Sequence, residues 1–277
     1  MTPSDIPAAV SAILADDWGD RRTWFEFVVE HPAFAPVVAE IEGEIVGTGV
    51  TSVHGPVAWI GTIWVAVRWR RSGLGTALTR ATIEAAEVAR ARTLVLVATE
   101  AGRPLYERLG FEVQTWYVTL EGSGLSAASG ASASAGHDGR LRPFRATDLA
   151  SMATLDRAAT GEDRSHLLAA FASTETARVL GSPDGGVDGF VVRAPWGGGA
   201  TIAPSPSDGI AILQARRVAA GPGRHVRAGV LADNAEGMAL LAAQGWTEAW
   251  RAPRLIRGDP LDWRPSQIWG QFNHALG

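Results

Sequence analysis

The chain has 277 residues, of which 46% are hydrophobic and 19% charged, and its net charge is −4 at pH 7. This length favours two domains of ordinary size, and the absence of cysteine excludes disulfides, thiolate metal sites and a cysteine nucleophile. There is no apolar run of membrane-spanning length and the net charge argues against nucleic acid as the main partner, so we expect a cytoplasmic protein that binds neither membrane nor nucleic acid.

The first informative segment is an apolar strand that runs through Val67 into an Arg-x-x-Gly-x-Gly turn at Arg70–Thr76, where a helix opens. Gly73 and Gly75 can adopt positive φ and have no Cβ, so successive N–H groups can converge on phosphate oxygens at the positive end of that helix. A P-loop or a dinucleotide fingerprint does not fit the spacing, because Leu78 stands where the latter needs glycine. The alternative is a solvated glycine-rich turn.

The next elements extend this β-loop-α unit. Helical spacing of apolar residues from 77 to 89 predicts a helix, and Thr93–Ala98 reads as a buried strand. A short helix over Leu105–Leu109 should end at Gly110, and a strand should follow it. Tyr106 lies on this short helix.

Two motifs that follow one another along the chain make residues from about 2 to 120 resemble the GNAT acetyltransferase superfamily. They are V-x-P-x-x-R/Q-x-x-G-x-G/A and N-x-x-A-x-x-L-Y-x-x-x-G-F. The matching positions are Val65, Arg70, Gly73, Gly75, Leu105, Tyr106, Gly110 and Phe111. The resemblance implies an α/β (α+β) fold, in which a mixed central sheet is flanked by helices, and an acyltransferase that uses acetyl-CoA.

The resemblance also implies roles for individual residues. The turn would hold the pyrophosphate of coenzyme A, backbone groups of Val65 and Val67 would pair with the pantetheine arm, and Tyr106 would protonate the departing thiolate. The chain departs from the family at Val67, which replaces proline, and at Thr99, which replaces asparagine. The implied cofactor-binding residues are Val65, Ala66, Val67, Arg70, Arg71, Ser72, Gly73, Leu74, Gly75, Thr76 and Thr99.

The acceptor site is only suggested by the pattern. Carboxylates and tryptophans crowd a segment that borders the acceptor site in relatives, and they suit a cationic amine. A solvated helix end and core tryptophans are the alternatives. This segment contains Asp16, Asp17, Trp18, Asp20, Trp24 and Glu26, and further candidates are Trp64, Glu162 and Asp163. No carboxylate occurs at 59–65, where many relatives place a base. Water, Glu26, Glu30, His31 and His54 therefore stay open as the base.

The second half follows a Gly/Ser/Ala run at 122–139, which predicts a flexible linker between a GNAT domain at 1–121 and a second domain at 140–277. This domain resembles a degenerate GNAT copy, since Leu241 takes the tyrosine position. The segment Ala203–Gly209 offers prolines, which lack the N–H groups of a phosphate turn. An unrelated α+β domain is the alternative.

Two further points stay open in the sequence. The second copy has a strand at Leu141–Arg145 before its first helix, whereas the first copy begins at Met1 almost inside a helix, so either a strand is missing or the true start lies upstream. The chain is either an N-acetyltransferase acting on a small-molecule amine by direct attack or a catalytically weak acyl-CoA sensing module. It could be a monomer or a homodimer.

Overall fold

The computed structural model describes residues 1–126 and 139–277, which form two compact units. Unit 1 consists of Met1–Val113, Arg254–Pro260 and His274–Leu276. Unit 2 consists of Gln114–Pro253, Leu261–Asn273 and Gly277. The boundary between the units therefore lies after Val113, inside a strand. Two short segments from late in the chain belong to unit 1. The predicted domain boundaries at 121 and 140 stay a prediction.

Unit 1 is built on a mixed sheet. Its helices are α1 (Ile6–Ala15), α2 (Arg22–Glu30), α3 (Leu74–Val88) and α4 (Arg103–Arg108), and its strands are β1 (Phe34–Ile41), β2 (Glu44–His54), β3 (Val57–Val65) and β4 (Thr93–Val97). The first three strands are antiparallel, and β3 is parallel to β4. The other edge of β4 pairs antiparallel with Arg254–Gly258, the last part of β11 (Thr247–Gly258).

The register between β3 and β4 is short. Only Val57–Trp59 pairs with Thr93–Val95, so the two strands separate beyond this point and leave a slot between them. On one face of β3, Ala58 and Ile60 pack against α3. Because strand side chains alternate, Trp59 and Gly61 face the opposite side of the sheet.

Unit 2 contains most of β5 (Glu112–Ser123), together with β6 (Leu141–Pro143), β7 (Ala177–Gly181), β8 (Val187–Arg193), β9 (Gly199–Ile202), β10 (His225–Leu231) and β12 (Ile268–Gly270). Its helices are α5 (Leu149–Thr160), α6 (Ser165–Phe171), α7 (Pro206–Ala220) and α8 (Ala235–Ala243). One sheet has the antiparallel order β12-β9-β8-β7-β6, and β5 pairs antiparallel with β10. No helix in the described part of the chain is long and apolar enough to cross a membrane.

The predicted short helix ends as expected, with Gly110 at φ +84° just beyond α4. Gly122 and Ser123, the first residues of the predicted linker, belong to β5 and pair with β10. Strand pairing uses main-chain groups, and a Cβ at Gly122 would meet the Trp246 ring at 2.8 Å, so the glycine serves packing here. Residues 127–138 of the predicted linker lie outside the described residues.

Candidate active site

The turn between β3 and α3 presents a row of available amides. The N–H groups of residues 71–76 donate no hydrogen bond to any residue that the structure describes. Arg71 has φ +64° and Gly73, the N-cap of α3, has φ +92°. A left-handed arginine costs about 1–2 kcal/mol. Alternation of backbone conformation of this kind turns successive amides toward one point, where an anion can be held.

Asp16, at the end of α1, anchors the start of the turn. Its Oδ2 accepts hydrogen bonds from Trp64 Nε1 at 3.2 Å and from the Val67 amide at 3.2 Å, and it lies 3.5 Å from an Arg70 nitrogen. Arg70 Nε also donates to the Val65 carbonyl at 3.0 Å. Arg70 therefore stabilises the start of the turn. The side chain of Arg71 makes no hydrogen bond or ion pair with any described residue.

Val65 and Val67 differ in role. Strand β3 ends at Val65, and Val67–Trp69 forms a 3₁₀ turn, so Val67 does not continue the strand as predicted. The Ala66 amide donates to the Val46 carbonyl of β2, so in an antiparallel register the amide of Val65 faces the opposite edge, toward the slot. Of the two, only Val65 presents strand-type backbone groups there.

Three elements meet at Gly75. A Cβ at this position would lie 3.4 Å from Leu105 Cδ1 and 3.8 Å from Val65 Cγ2. The first turn of α3, the end of β3 and helix α4 thus border one small volume at the mouth of the slot. The predicted phosphate turn and the predicted tyrosine helix are neighbours in space.

Tyr106 is partly buried on α4. Its ring packs edge-on against Phe111, with centroids 6.2 Å apart. Burial raises the pKa of Tyr106 to about 12, so the phenol is protonated at neutral pH and can donate a proton. Thr99 stabilises the start of the same helix, because its Oγ1 accepts from the Gly102 amide at 3.1 Å and its carbonyl accepts from the Arg103 amide at 2.9 Å.

The tryptophans proposed for the acceptor site divide into two groups. Trp24 and Trp64 are buried in the core, and the Trp24 Nε1 donates to Thr62 Oγ1 at 3.1 Å. Trp18 is 36% exposed, and Glu26 is exposed on α2. Buried indoles cannot line an open surface. Of these four candidate residues, only Trp18 and Glu26 are therefore accessible to an acceptor.

Thr62 marks a feature that the sequence analysis missed. It has φ +53°, and the register between β2 and β3 shifts here, so β3 carries a bulge. Thr48 Oγ1 donates to the Thr62 carbonyl at 2.9 Å, which holds the bulge in place. The preceding Gly61 was the available signal, since glycine inside a strand often marks a bulge.

The histidines proposed as a base also have structural surroundings. His54 is fully buried in β2. His31 Nδ1 accepts from the Ala33 amide at 3.2 Å, and burial lowers its pKa. Glu26 and Glu30 are exposed. None of these observations singles out a base.

The polar cluster of unit 2 is a structural turn. Asp163 Oδ1 accepts from the Ser165 amide at 3.3 Å and hydroxyl at 2.7 Å, and this caps the start of α6. Glu162 is buried, and its charge acts on Arg164, which forms a buried two-point ion pair with Asp156 at 3.0 and 2.6 Å.

Two family models match the two halves of the chain. A model described as the acetyltransferase (GNAT) family matches residues 8–111, and a second model, described as an acetyltransferase (GNAT) domain, matches residues 152–270. Both halves of the chain belong to the GNAT acetyltransferase family. The chain is accordingly an acyltransferase, and acetyl-CoA is the cofactor that GNAT acetyltransferases use.

Relatives of this GNAT chain span most of its length. It is 25% identical over 240 residues to the uncharacterized N-acetyltransferase YitH of Bacillus subtilis, covering 86% of this chain and 83% of YitH. A solved Pyrococcus horikoshii protein assigned as an acetyltransferase superposes with a TM-score of 0.80 at 22% identity, covering 100% and 94% of the two chains. A tandem GNAT protein from the clavulanic acid biosynthesis pathway gives 0.59 at 16% identity, covering 94% and 96%. The structural likenesses confirm a tandem GNAT fold.

Proposed function

We propose that this chain transfers an acetyl group from acetyl-CoA to the amine of a small molecule, that the transfer takes place in unit 1, and that Tyr106 is the general acid. The observation that carries the proposal is the row of available amides at 71–76 beside a slot that opens where β3 and β4 separate. Tyr106 lies on the helix that borders the same volume through Leu105.

The residues fit the cofactor. The amides of 71–76 and the side chain of Arg71 would hold the pyrophosphate, because anions bind at such a helix start. The amide of Val65 faces the slot and would pair with the pantetheine arm. Gly75 keeps the approach free of a Cβ. Bound acetyl-CoA would supply an acetyl group activated as a thioester.

The residues of the chain then act in two ways. The protonated phenol of Tyr106 donates to the departing sulfur, a role that contributes about 10²- to 10⁴-fold in rate. The sequence contains no cysteine, so no cysteine can carry the acetyl group and the amine attacks directly. No carboxylate occurs in β3, so water is the simplest proton acceptor for the amine.

The experiment measures thiol release with the full chain over a panel of small amines, beside calorimetric binding of acetyl-CoA. The proposal expects both binding and turnover on at least one amine. Binding without turnover on any amine would favour the acyl-CoA sensing module instead. A peptide amine or an alcohol as the acceptor would correct the substrate class.

A further inference from the structure

The closed end of the slot lies beside the bulge of β3. The slot starts at the turn and ends where β3 and β4 pair again, at Trp59 and Val95. A chain that enters along Val65 therefore has its far end next to Gly61 and Thr62, about 10 Å along the strand. An acceptor amine must approach this end.

A late segment of the chain, His274–Leu276, covers β3 at this place. A Cβ at Gly61 would lie 2.2 Å from Ala275 Cβ and 2.8 Å from its Cα, so the glycine admits the segment. Ser52 Oγ of β2 donates to the Ala275 carbonyl at 2.7 Å, and this bond is buried. Ala275 and Leu276 are buried as well. The segment is thus a fixed part of unit 1.

His274 is the first residue of this segment. Its side chain is exposed to solvent, whereas desolvation, followed by the charge of Arg21, lowers its pKa to about 4. Trp24 of α2 donates to Thr62 Oγ1 at 3.1 Å, so the start of α2, with Arg21 directly before it, lies at the bulge beside this segment. A neutral imidazole and a guanidinium therefore lie near the closed end of the slot.

Arg21 supplies a positive charge that acts on His274. It is the residue before α2, it is half-buried, and burial lowers its pKa, while Asp20 opposes that effect. No carboxylate of a described residue lies within 4 Å of its guanidinium. The neighbouring carboxylates are engaged elsewhere, since Asp16 holds the turn and Asp20 Oδ1 accepts from the Arg22 amide at 2.8 Å.

We propose that Arg21 and His274 form the acceptor wall at the closed end of the slot, and that they select an amine whose molecule also carries a carboxylate. An arginine binds a carboxylate with two parallel hydrogen bonds, and a half-buried guanidinium with no carboxylate of a described residue within 4 Å gains most from such a ligand. The inference rests on the proposed function and reverses the cationic acceptor that the sequence suggested.

The test pairs L-amino acids with the primary amides of the same amino acids. Calorimetry measures their binding to the full chain saturated with coenzyme A, and thiol release measures kcat/KM. We expect the acids to bind and react at least tenfold better than the amides. Arg21→Gln should remove this preference, whereas Arg22→Gln, the exposed neighbour, should keep it. Equal affinity for acids and amides would overturn the inference.

Two variants test the late segment itself. Gly61→Ala should displace Ala275 and lower the affinity for the acids more than the affinity for acetyl-CoA. His274→Asn keeps a polar group of similar size and should reduce the acid preference without affecting folding. If both variants retain the full preference, the segment is not part of the wall. An acid preference in binding with no turnover would contradict the proposed function and leave the acceptor wall supported.

Discussion

The two units differ at the slot between the strand that precedes a helix and the strand that follows it. In unit 1, β3 and β4 separate beyond Trp59, and no strand of the described residues lies between them in the sheet. In unit 2, the corresponding strands are β9 and β10, and β12 pairs with β9 while it contacts β10. Trp269 of β12 is fully buried, and its Nε1 donates to the Ala203 carbonyl at 3.1 Å. In unit 2, a strand of the chain itself therefore occupies the place that the proposed function assigns to acetyl-CoA in unit 1.

The helix starts behind the two slots show the same contrast. Helix α3 begins after Gly73 with available amides, whereas α7 begins with Pro206, which has no N–H, and carries Asp208 in its first turn. Asp208 pairs with Arg140 at 3.2 Å. A carboxylate at this end of a helix complements its dipole and repels a phosphate. Under the proposed function, the half whose helix start has available amides binds acetyl-CoA, and the half whose helix start carries a proline and a paired carboxylate does not.

The largest effect that would sharpen this contrast concerns the tyrosine position. Tyr106→Phe should lower kcat by about 10²- to 10⁴-fold, because it removes the proton donor and keeps the ring. The KM for acetyl-CoA should change little. Tyr117→Phe, which alters the other tyrosine of the chain, is the control. An unchanged kcat for Tyr106→Phe would reject the role of this residue.

A stability measurement separates the units further. Asp156→Asn should destabilise unit 2 by about 3–5 kcal/mol in denaturant unfolding, because Arg164 would keep its buried charge without a carboxylate partner. Asp188→Asn, in a more exposed pair with Arg140, should cost less than about 1 kcal/mol. The Kd for acetyl-CoA of the folded protein should be unchanged, and a large loss of binding would break the proposed division of roles.

The backbone of the turn gives the next effect. Gly73→Val should weaken acetyl-CoA binding by about 10- to 100-fold, since a β-branched residue at φ +92° is strained and would turn the amides away. Gly197→Val is the matched control, because Gly197 has φ +88° and, like Gly73, open space around it. Equal losses in both variants would mean that general strain, and not the turn, reduces binding.

A smaller effect is expected at Asp16. Asp16→Asn should weaken acetyl-CoA binding about 3- to 10-fold, because the anchor of the Val67 amide and of Arg70 loses its charge. Asp17→Asn provides the neighbouring control. Calorimetry on both variants measures the difference, and identical Kd values would show that Asp16 does not support the turn.

The smallest effect is expected in the pH profile. Since burial raises the pKa of Tyr106 to about 12, its proton stays in place until well above pH 10. The kcat of the wild-type chain should therefore show no decline with an apparent pKa near 10, the ordinary value for tyrosine. Initial rates at several alkaline pH values, with Tyr106→Phe as the reference, measure this. A decline near 10 that is absent in the variant would contradict the burial of the phenol.

The sequence predicts those parts of the site that depend on local pattern. The turn at 70–76, helix α4 and its end at Gly110 follow from glycine spacing and apolar periodicity, and all lie within one short stretch of chain. The same reasoning placed Val67 in the strand and Trp64 at the acceptor site. It did not predict that the Asp16 carboxylate would accept hydrogen bonds from the Val67 amide and from the Trp64 indole.

The remaining parts depend on contacts between distant segments. Arg254–Gly258 completes the sheet of unit 1, and Ala275 covers Gly61, although neither segment carries a motif of its own. The position of β12 in the slot of unit 2 could not be predicted from the sequence either, because a strand of three residues is too short to show a periodicity. Such contacts are set by the complete fold and not by neighbours in sequence.

Titration calorimetry of acetyl-CoA into the full chain tests the central claim most directly. The two slots predict one binding site per chain, which Gly73→Val weakens and Gly197→Val leaves intact. Two equivalent sites per chain, or no binding by folded protein, would contradict the account.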